Sequence, residues 1–208
     1  MKKMFLSLAL IGCLVLSACT TKKATDTELA IGKTAPNFSL PAAGGERISL
    51  ADYKGKVVVL EWKNHLCPFV KKHYASSNMQ GLQKRYTNKD VVWISIISSA
   101  PGKQGHVNGK EALMIAQNEG SAASKILLDE AGNVARLYQA KTTPHMFVIN
   151  KKGILVYMGA IDSIRSTNQA DIAKAKNYVA NALDEVLADK KVTTTETEAY
   201  GCSIKLAY

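Results

Sequence analysis

Two cysteines of this chain, Cys67 and Cys202, are placed to do thiol chemistry. Cys67 ends the run Val57-Val58-Val59-Leu60-Glu61-Trp62-Lys63-Asn64-His65-Leu66, and Pro68 with helically spaced Phe69, Val70, His73 and Tyr74 follows it. A cysteine where a buried strand meets a helix faces unpaired N–H groups and the positive end of the helix dipole, and both favour the thiolate. Pro68 suits the first helical position, where its missing donor costs nothing. Lys63, Lys71 and Lys72 add positive charge that is expected to act in the same direction. The thiolate is the reactive form, so these residues point to nucleophilic redox chemistry at Cys67; the competing reading is an inert structural cysteine in apolar packing.

Cys202 stands in Tyr200-Gly201-Cys202, after a polar, threonine-rich stretch from Thr193 to Ala199. Three roles are open to it: resolving a sulfenic acid or mixed disulfide at Cys67, in the same chain or a neighbour; bridging Cys67 permanently; or remaining unpaired. The other two cysteines lie at the N-terminus. Lys2 and Lys3 precede an apolar run from Met4 to Val15 that contains Cys13, and Leu16-Ser17-Ala18-Cys19 follows, the pattern of a secretion signal. The run falls short of the about 20 apolar residues that a membrane-crossing helix needs. Leu-Ser-Ala-Cys resembles the lipobox, whose cysteine is lipidated and becomes the mature N-terminus.

The expected organisation is therefore a signal peptide over 1–18, a flexible linker over 19–30 that begins at lipidated Cys19, one domain over 31–190, and a tail over 191–208 carrying Cys202. Such a chain is exported to the bacterial envelope and faces the periplasm, or the exterior of a single-membrane cell. Thr20 stands where enteric bacteria signal inner-membrane retention with Asp, so the outer membrane is favoured.

The elements that must hold Cys67 follow from apolar patterning. Phe38-Ser-Leu and Ile48-Ser-Leu flank Pro41 and Gly44-Gly45 as a hairpin. Val57 to Leu60 is a continuous apolar run, the mark of a strand covered on both faces. A helical pattern runs from Pro68 to about Tyr86, Val91 to Ile97 is a second buried strand, and Ser98 to Asn108 is a loop. A helix over Gly109 to Glu119, a short strand over Lys125 to Leu128 and a helical turn over Asn133 to Tyr138 come next. Met146–Ile149 and Ile154–Met158 form a hairpin about Lys151-Lys152-Gly153, and an amphipathic helix spans about Gln169 to Ala188. Strands alternating with helices and closing on a hairpin give an α/β domain with a mixed central sheet.

The stretch from Val57 to Tyr74 resembles the active-site strand and helix of the redoxin superfamily: thioredoxin-like oxidoreductases and peroxiredoxin-like proteins of the alkyl hydroperoxide reductase and thiol-specific antioxidant type. Thr142-Thr143-Pro144-His145-Met146-Phe147-Val148-Ile149-Asn150 is similar to the segment that carries a cis-proline facing the active cysteine in those proteins. Gly32-Lys33-Thr34-Ala35-Pro36-Asn37-Phe38 is similar to their entry strand. The resemblance spans about Ile31 to Leu187. It implies a thioredoxin-like fold with helices flanking the sheet, an N-terminal hairpin extension and an inserted strand and helix. It also implies a catalytic set of Cys67, Pro144 and, as the candidate resolving residue, Cys202. Trp62, Asn64, His65, Pro68, Thr143 and His145 are expected to line the pocket or tune the thiolate.

The chain departs from the family patterns in places that matter. Val70 replaces the second cysteine of Cys-x-x-Cys, so no bridge forms within the motif. Asn64, Leu60 and Pro144 stand where peroxiredoxins carry Thr or Ser, Pro and Arg. Asn64 could donate in place of the hydroxyl, and Arg136 or Arg165 could supply the charge. His65 and His145, with the thiolate, could hold copper or zinc in one cleft, but without a second nearby cysteine the spacing does not make a metal site, and neither metal nor other cofactor is expected.

The chain carries a net charge of +10, and removing the two leader lysines leaves +8. That balance suits anionic headgroups or an acidic partner, yet the lysines are scattered along the sequence and no nucleic-acid motif accompanies them. The expected activity is thus thiol-dependent reduction of a peroxide or disulfide, with an external thiol reductant, a thioredoxin-like protein or a low-molecular-weight thiol, restoring the enzyme. The alternative is a non-catalytic module that binds a metal ion or client thiol.

Overall fold

The computed structural model describes residues 29–207. The signal peptide, Cys19 and most of the linker lie outside the described residues. Leu29 and Ile31 already pack on the core, so the folded chain takes in the last part of the expected linker.

Val57 to Trp62 forms a strand (β3) whose six residues are all buried. It is central in a five-stranded sheet, between the parallel β4 (Val91–Ile97) and the antiparallel β7 (His145–Ile149). β5 (Lys125–Leu128) extends the sheet beyond β4, and β8 (Leu155–Gly159) extends it beyond β7. The N-terminal hairpin pairs β1 (Ser39–Pro41) with β2 (Arg47–Ser49) at the expected place. Successive β3 side chains point to opposite faces. Val57 and Val59 join Cys67, Met146, Val148 and Leu183 in one cluster; Val58, Leu60 and Trp62 join Ile94, Ile96 and Phe147 in the other. Each fully buried aliphatic side chain contributes roughly 1.5–3 kcal/mol, and this two-sided core makes β3 a rigid base for Cys67. Helices cover both faces, and the architecture is the thioredoxin-like fold with its N-terminal hairpin.

The expected helix from Pro68 to Tyr86 is two helices, α1 (Pro68–Ala75) and α2 (Asn78–Thr87). Ser77 adopts φ 62° between them, and the Ser76 hydroxyl donates back to the carbonyl of Lys72 at 2.7 Å, closing α1. After α3 (Gly109–Asn118) and the short α4 (Asn133–Leu137), the expected helix from Gln169 to Ala188 also divides. A 3-10 turn covers Gln169–Lys174, and α5 is Tyr178–Leu187. The Asn177 side chain accepts from Ala180 N at 2.8 Å and caps the new helix.

The segment after α5 runs back over the domain. Met158 N donates to Thr195 O and Thr197 N to Met158 O, along the free edge of β8. The Cys202–Ser203 strand (β9) then pairs with β6 (Thr142–Thr143), Cys202 opposite Thr143. Gly201 lies between Tyr200 and Cys202 at φ 146°, and a Cβ there would stand 2.1 Å from the Thr143 carbonyl oxygen. Gly201→Ala is therefore expected to unseat this segment at a local cost of about 1–3 kcal/mol. Limited proteolysis should show cleavage after Val192 in the variant at protease levels that spare the wild type; equal resistance would refute the close approach.

Candidate active site

The turn that presents Cys67 is built by Asn64. Its side-chain oxygen accepts from Leu66 N at 2.9 Å, its backbone oxygen accepts from Cys67 N at 3.0 Å, and its amide donates to Gln104 O at 3.2 Å. The Asn64 amide is thus committed to holding the loop around Gly105, and is not the donor to the sulfur that the sequence suggested. Cys67 itself is the residue before the first turn of α1, with Pro68 at the first helical position.

The Cys67 sulfur is fully buried, 2.7 Å from Cys202 Sγ and 3.0 Å from Thr143 O. The Thr143–Pro144 peptide bond is cis, so the proline loop and both cysteines meet at one point. Cys202 is half-buried and forms the outer side of the pair. Burial pushes the Cys67 thiol up, but hydrogen bonds from the Cys202 thiol, from the Val70 and Cys202 amides and from Thr143 outweigh it, and the net shift is downward from 9.0. Cys202 moves the other way, to about 11, through burial and the neighbouring Cys67. The inner sulfur is therefore the first of the pair to lose its proton and the outer sulfur the last.

The lysines do not produce this shift. Lys63 is ion-paired with Glu119, and Lys72 is fully buried with its ammonium 3.2 Å from Asp162 and 3.0 Å from Ile164 O. Their charge is spent on carboxylates, which corrects the expectation that they activate the thiol. Titration of the reduced protein by thiolate absorbance should show two steps, the first below the ordinary 9.0 and the second near 11. Because the sites interact, the steps belong to the pair. Cys202→Ala should merge them into one step, shifted upward from the first; an unshifted first step would show that Cys202 does not stabilise the thiolate.

Two buried polar groups escaped the sequence reading. Asp162 accepts from the Tyr200 hydroxyl, from Ile164 N and from Lys72, and so joins the helix of Cys67 to the segment of Cys202. His73 lies 3.8 Å from the same carboxylate, and burial holds its pKa down to about 4. On β3, buried Glu61 accepts from Tyr74, Gln83, Trp93 and Ser95, so every bond it makes is to a neutral donor. Glu61 was legible as a carboxylate inside an apolar strand; Asp162 carried no such signal.

Other expected site residues go elsewhere. Trp62 and His145 are register partners and belong to the opposite face of the sheet from Cys67. The Trp62 indole donates to Ser98 Oγ at 3.0 Å, while His145 stacks on Phe147 at 4.5 Å and accepts from Lys141 N. Burial lowers His145 to about 4. His65 is partly exposed on the Cys67 turn, its pKa lowered by burial. The two histidines therefore do not share a cleft with the thiolate, and no three His, Cys, Asp or Glu side chains are grouped to hold a metal among the described residues. Arg136 bonds Ala131 O and Asn133, and Arg165 faces Glu198 on the surface, so neither serves Cys67.

The model of the AhpC/TSA family matches residues 31–158, from the entry segment through β8. That stretch contains Cys67 and the Thr143–Pro144 bond but stops short of Cys202. The thioredoxin-like protein YneN of Bacillus subtilis is 27% identical over 143 residues, 68% of this chain and 79% of its own length. Among solved structures, an uncharacterized conserved protein from Geobacillus kaustophilus superposes with a TM-score of 0.73 at 27% identity, covering 86% of this chain and 93% of its own. A hypothetical protein from Sinorhizobium meliloti 1021 gives 0.71 at 25% identity, covering 86% and 96%. On the extent of the family match, the chain belongs to the AhpC/TSA family and is a thiol oxidoreductase built on the thioredoxin-like fold.

Proposed function

We propose that the protein reduces disulfides by thiol–disulfide exchange, with Cys67 as nucleophile and Cys202 as resolving cysteine. The observation that carries this reading is the 2.7 Å contact between an inner sulfur with lowered pKa and an outer sulfur with raised pKa. When the Cys202 segment lifts, the Cys67 thiolate attacks one sulfur of a substrate disulfide and the other sulfur leaves as a thiolate. Cys202 gives its proton to that leaving group and attacks Cys67 Sγ, which expels the second substrate thiolate and closes a Cys67–Cys202 disulfide. An external dithiol, low-molecular-weight or on a thioredoxin-like protein, then attacks the outer sulfur of Cys202, and Cys67 departs because the lower-pKa thiol leaves faster. The second thiol of the reductant releases Cys202 and carries away the oxidising equivalents.

A peroxide substrate is the second reading, favoured by the family itself. There the thiolate would take one oxygen to become a sulfenic acid, and Cys202 would condense with it to release water. Disulfide exchange is the better fit because, among the described residues, no arginine is hydrogen-bonded to Cys67 and the Asn64 amide is engaged by Gln104. Lipidation at Cys19 after removal of residues 1–18 would tether the domain through its N-terminal segment, at the periplasmic face of the outer membrane. Reduced protein titrated with oxidised glutathione and with hydrogen peroxide should form the Cys67–Cys202 disulfide faster with the former. A faster reaction with peroxide would make the second reading the correct one, and formation of no disulfide with either would leave a binding module.

A further inference from the structure

One end of the sheet gathers positive charge. β7 runs against β3, so Ile149 pairs with Val58 and the turn at Asn150–Gly153 lies at the end of the sheet remote from Cys67. A six-residue strand spans about 20 Å. Beside this turn a cleft of about 370 Å³ is walled by Lys151, Lys152, Lys190 and Lys191, with Asp189 as its one carboxylate. A second cleft of about 240 Å³ shares Lys152 and adds Lys54 and Lys56, with no acidic residue in its wall. Lys56 pairs with Asp90; none of the other five forms an ion pair among the described residues. Glu185, whose pKa Lys190 helps to lower, already accepts from Thr193 N and Thr193 Oγ1. The lysines are scattered in sequence and gathered by the fold.

The same wall contains Ile31 and Gly32, where the N-terminal segment joins the domain. Gly32 N is fixed to Leu155 O at 2.8 Å, so the chain preceding the domain leaves from the basic end. We infer that this end is a docking surface for an anionic lipid bilayer, which holds the domain upright with the Cys67–Cys202 site turned away from the membrane. Lysine ammonium groups on flexible stems suit a fluid layer of phosphate headgroups, and their attraction acts within a Debye length, about 10 Å at 0.1 M salt. The clefts have Ile31, Leu155, Val186 and Val192 behind the lysines and no aromatic platform other than Tyr53, which argues against nucleic-acid stacking. The inference builds on the proposed lipid attachment, because a tether at the N-terminus brings this end to the surface first.

The full chain, reconstituted on vesicles, tests this through acetylation of individual lysines read by mass spectrometry. On phosphatidylglycerol-rich vesicles, Lys151, Lys152, Lys190 and Lys191 should label at least about threefold more slowly than on pure phosphatidylcholine. Lys71, next to the active site, should label equally on both. Salt near 1 M, with a Debye length of about 3 Å, should abolish the protection. Replacing Lys151, Lys190 and Lys191 by Glu should remove the protection of the remaining Lys152 too, with the thiolate titration unchanged. Equal labelling on both vesicles overturns the inference, as does the same protection by inorganic phosphate without vesicles, which would make the cleft a small-anion site. Lipid attachment is read separately: a lipidated chain stays on vesicles in high salt whether or not its lysines are protected.

Discussion

Cys67→Ser is expected to fold normally and to lose thiol-dependent disulfide reduction by at least about a thousandfold, whereas Cys202→Ser should complete one half-reaction and stop. The difference follows from the positions of the two sulfurs. A serine hydroxyl at Cys67 would not ionise at neutral pH, so the interactions with the Val70 and Cys202 amides that favour a thiolate would have no nucleophile to stabilise. In Cys202→Ser the inner thiolate remains, with weaker support, and it can still attack a substrate disulfide. The product is a mixed disulfide at Cys67 with no neighbouring thiol to expel it. Intact-mass analysis after one equivalent of oxidised glutathione should show glutathione bound to Cys202→Ser and an internal disulfide, two mass units lighter by loss of about two hydrogens, in the wild type. Steady turnover by Cys202→Ser at the wild-type rate would remove Cys202 from the mechanism, and the same result for Cys67→Ser would remove Cys67.

These variants concern residues that the sequence already singled out, and the reason is local. Val57 to Leu60 is apolar without alternation because both faces of β3 are covered, and the change to polar residues before Cys67-Pro68 marks where strand becomes helix. Neighbours in sequence decide that junction. The face to which a side chain points is another matter: β7 is apolar on both sides, so nothing in Met146 to Ile149 tells which side His145 takes. Its register with Trp62 settles it, and that is a property of the assembled sheet. The split at Ser77 was hidden for a related reason, since Met79, Leu82 and Tyr86 bury an apolar face on α2 just as they would have on one long helix. Lys63 and Lys72 looked like activating charges because their carboxylate partners, Glu119 and Asp162, are far away in the chain.

The same distance hid the group on which the tail depends, and removing it should have the largest effect on stability. Asp162→Leu is expected to cost about 3–5 kcal/mol, because it leaves the Lys72 ammonium buried without its counter-charge. The Tyr200 hydroxyl loses its acceptor at the same time, and the chain leading to Cys202 loses its hydrogen-bonded link through Asp162 to Lys72 of α1. Two effects are superposed, and a second variant separates them. Lys72→Met with Asp162→Leu removes both charges, so most of the stability should return, since a buried pair is commonly replaceable by apolar residues at little cost. The tail anchor does not return with it. The double variant should therefore melt near the wild type yet close the Cys67–Cys202 disulfide more slowly, by roughly tenfold or more if Asp162 is worth about 1.4 kcal/mol to the closed position of Cys202. Tyr200→Phe, which keeps the ion pair and deletes only the hydroxyl, should slow closure with little change in melting. If both variants close the disulfide at the wild-type rate, the two-strand pairing of Cys202–Ser203 with Thr142–Thr143 seats the resolving sulfur unaided, and the buried carboxylate serves stability alone.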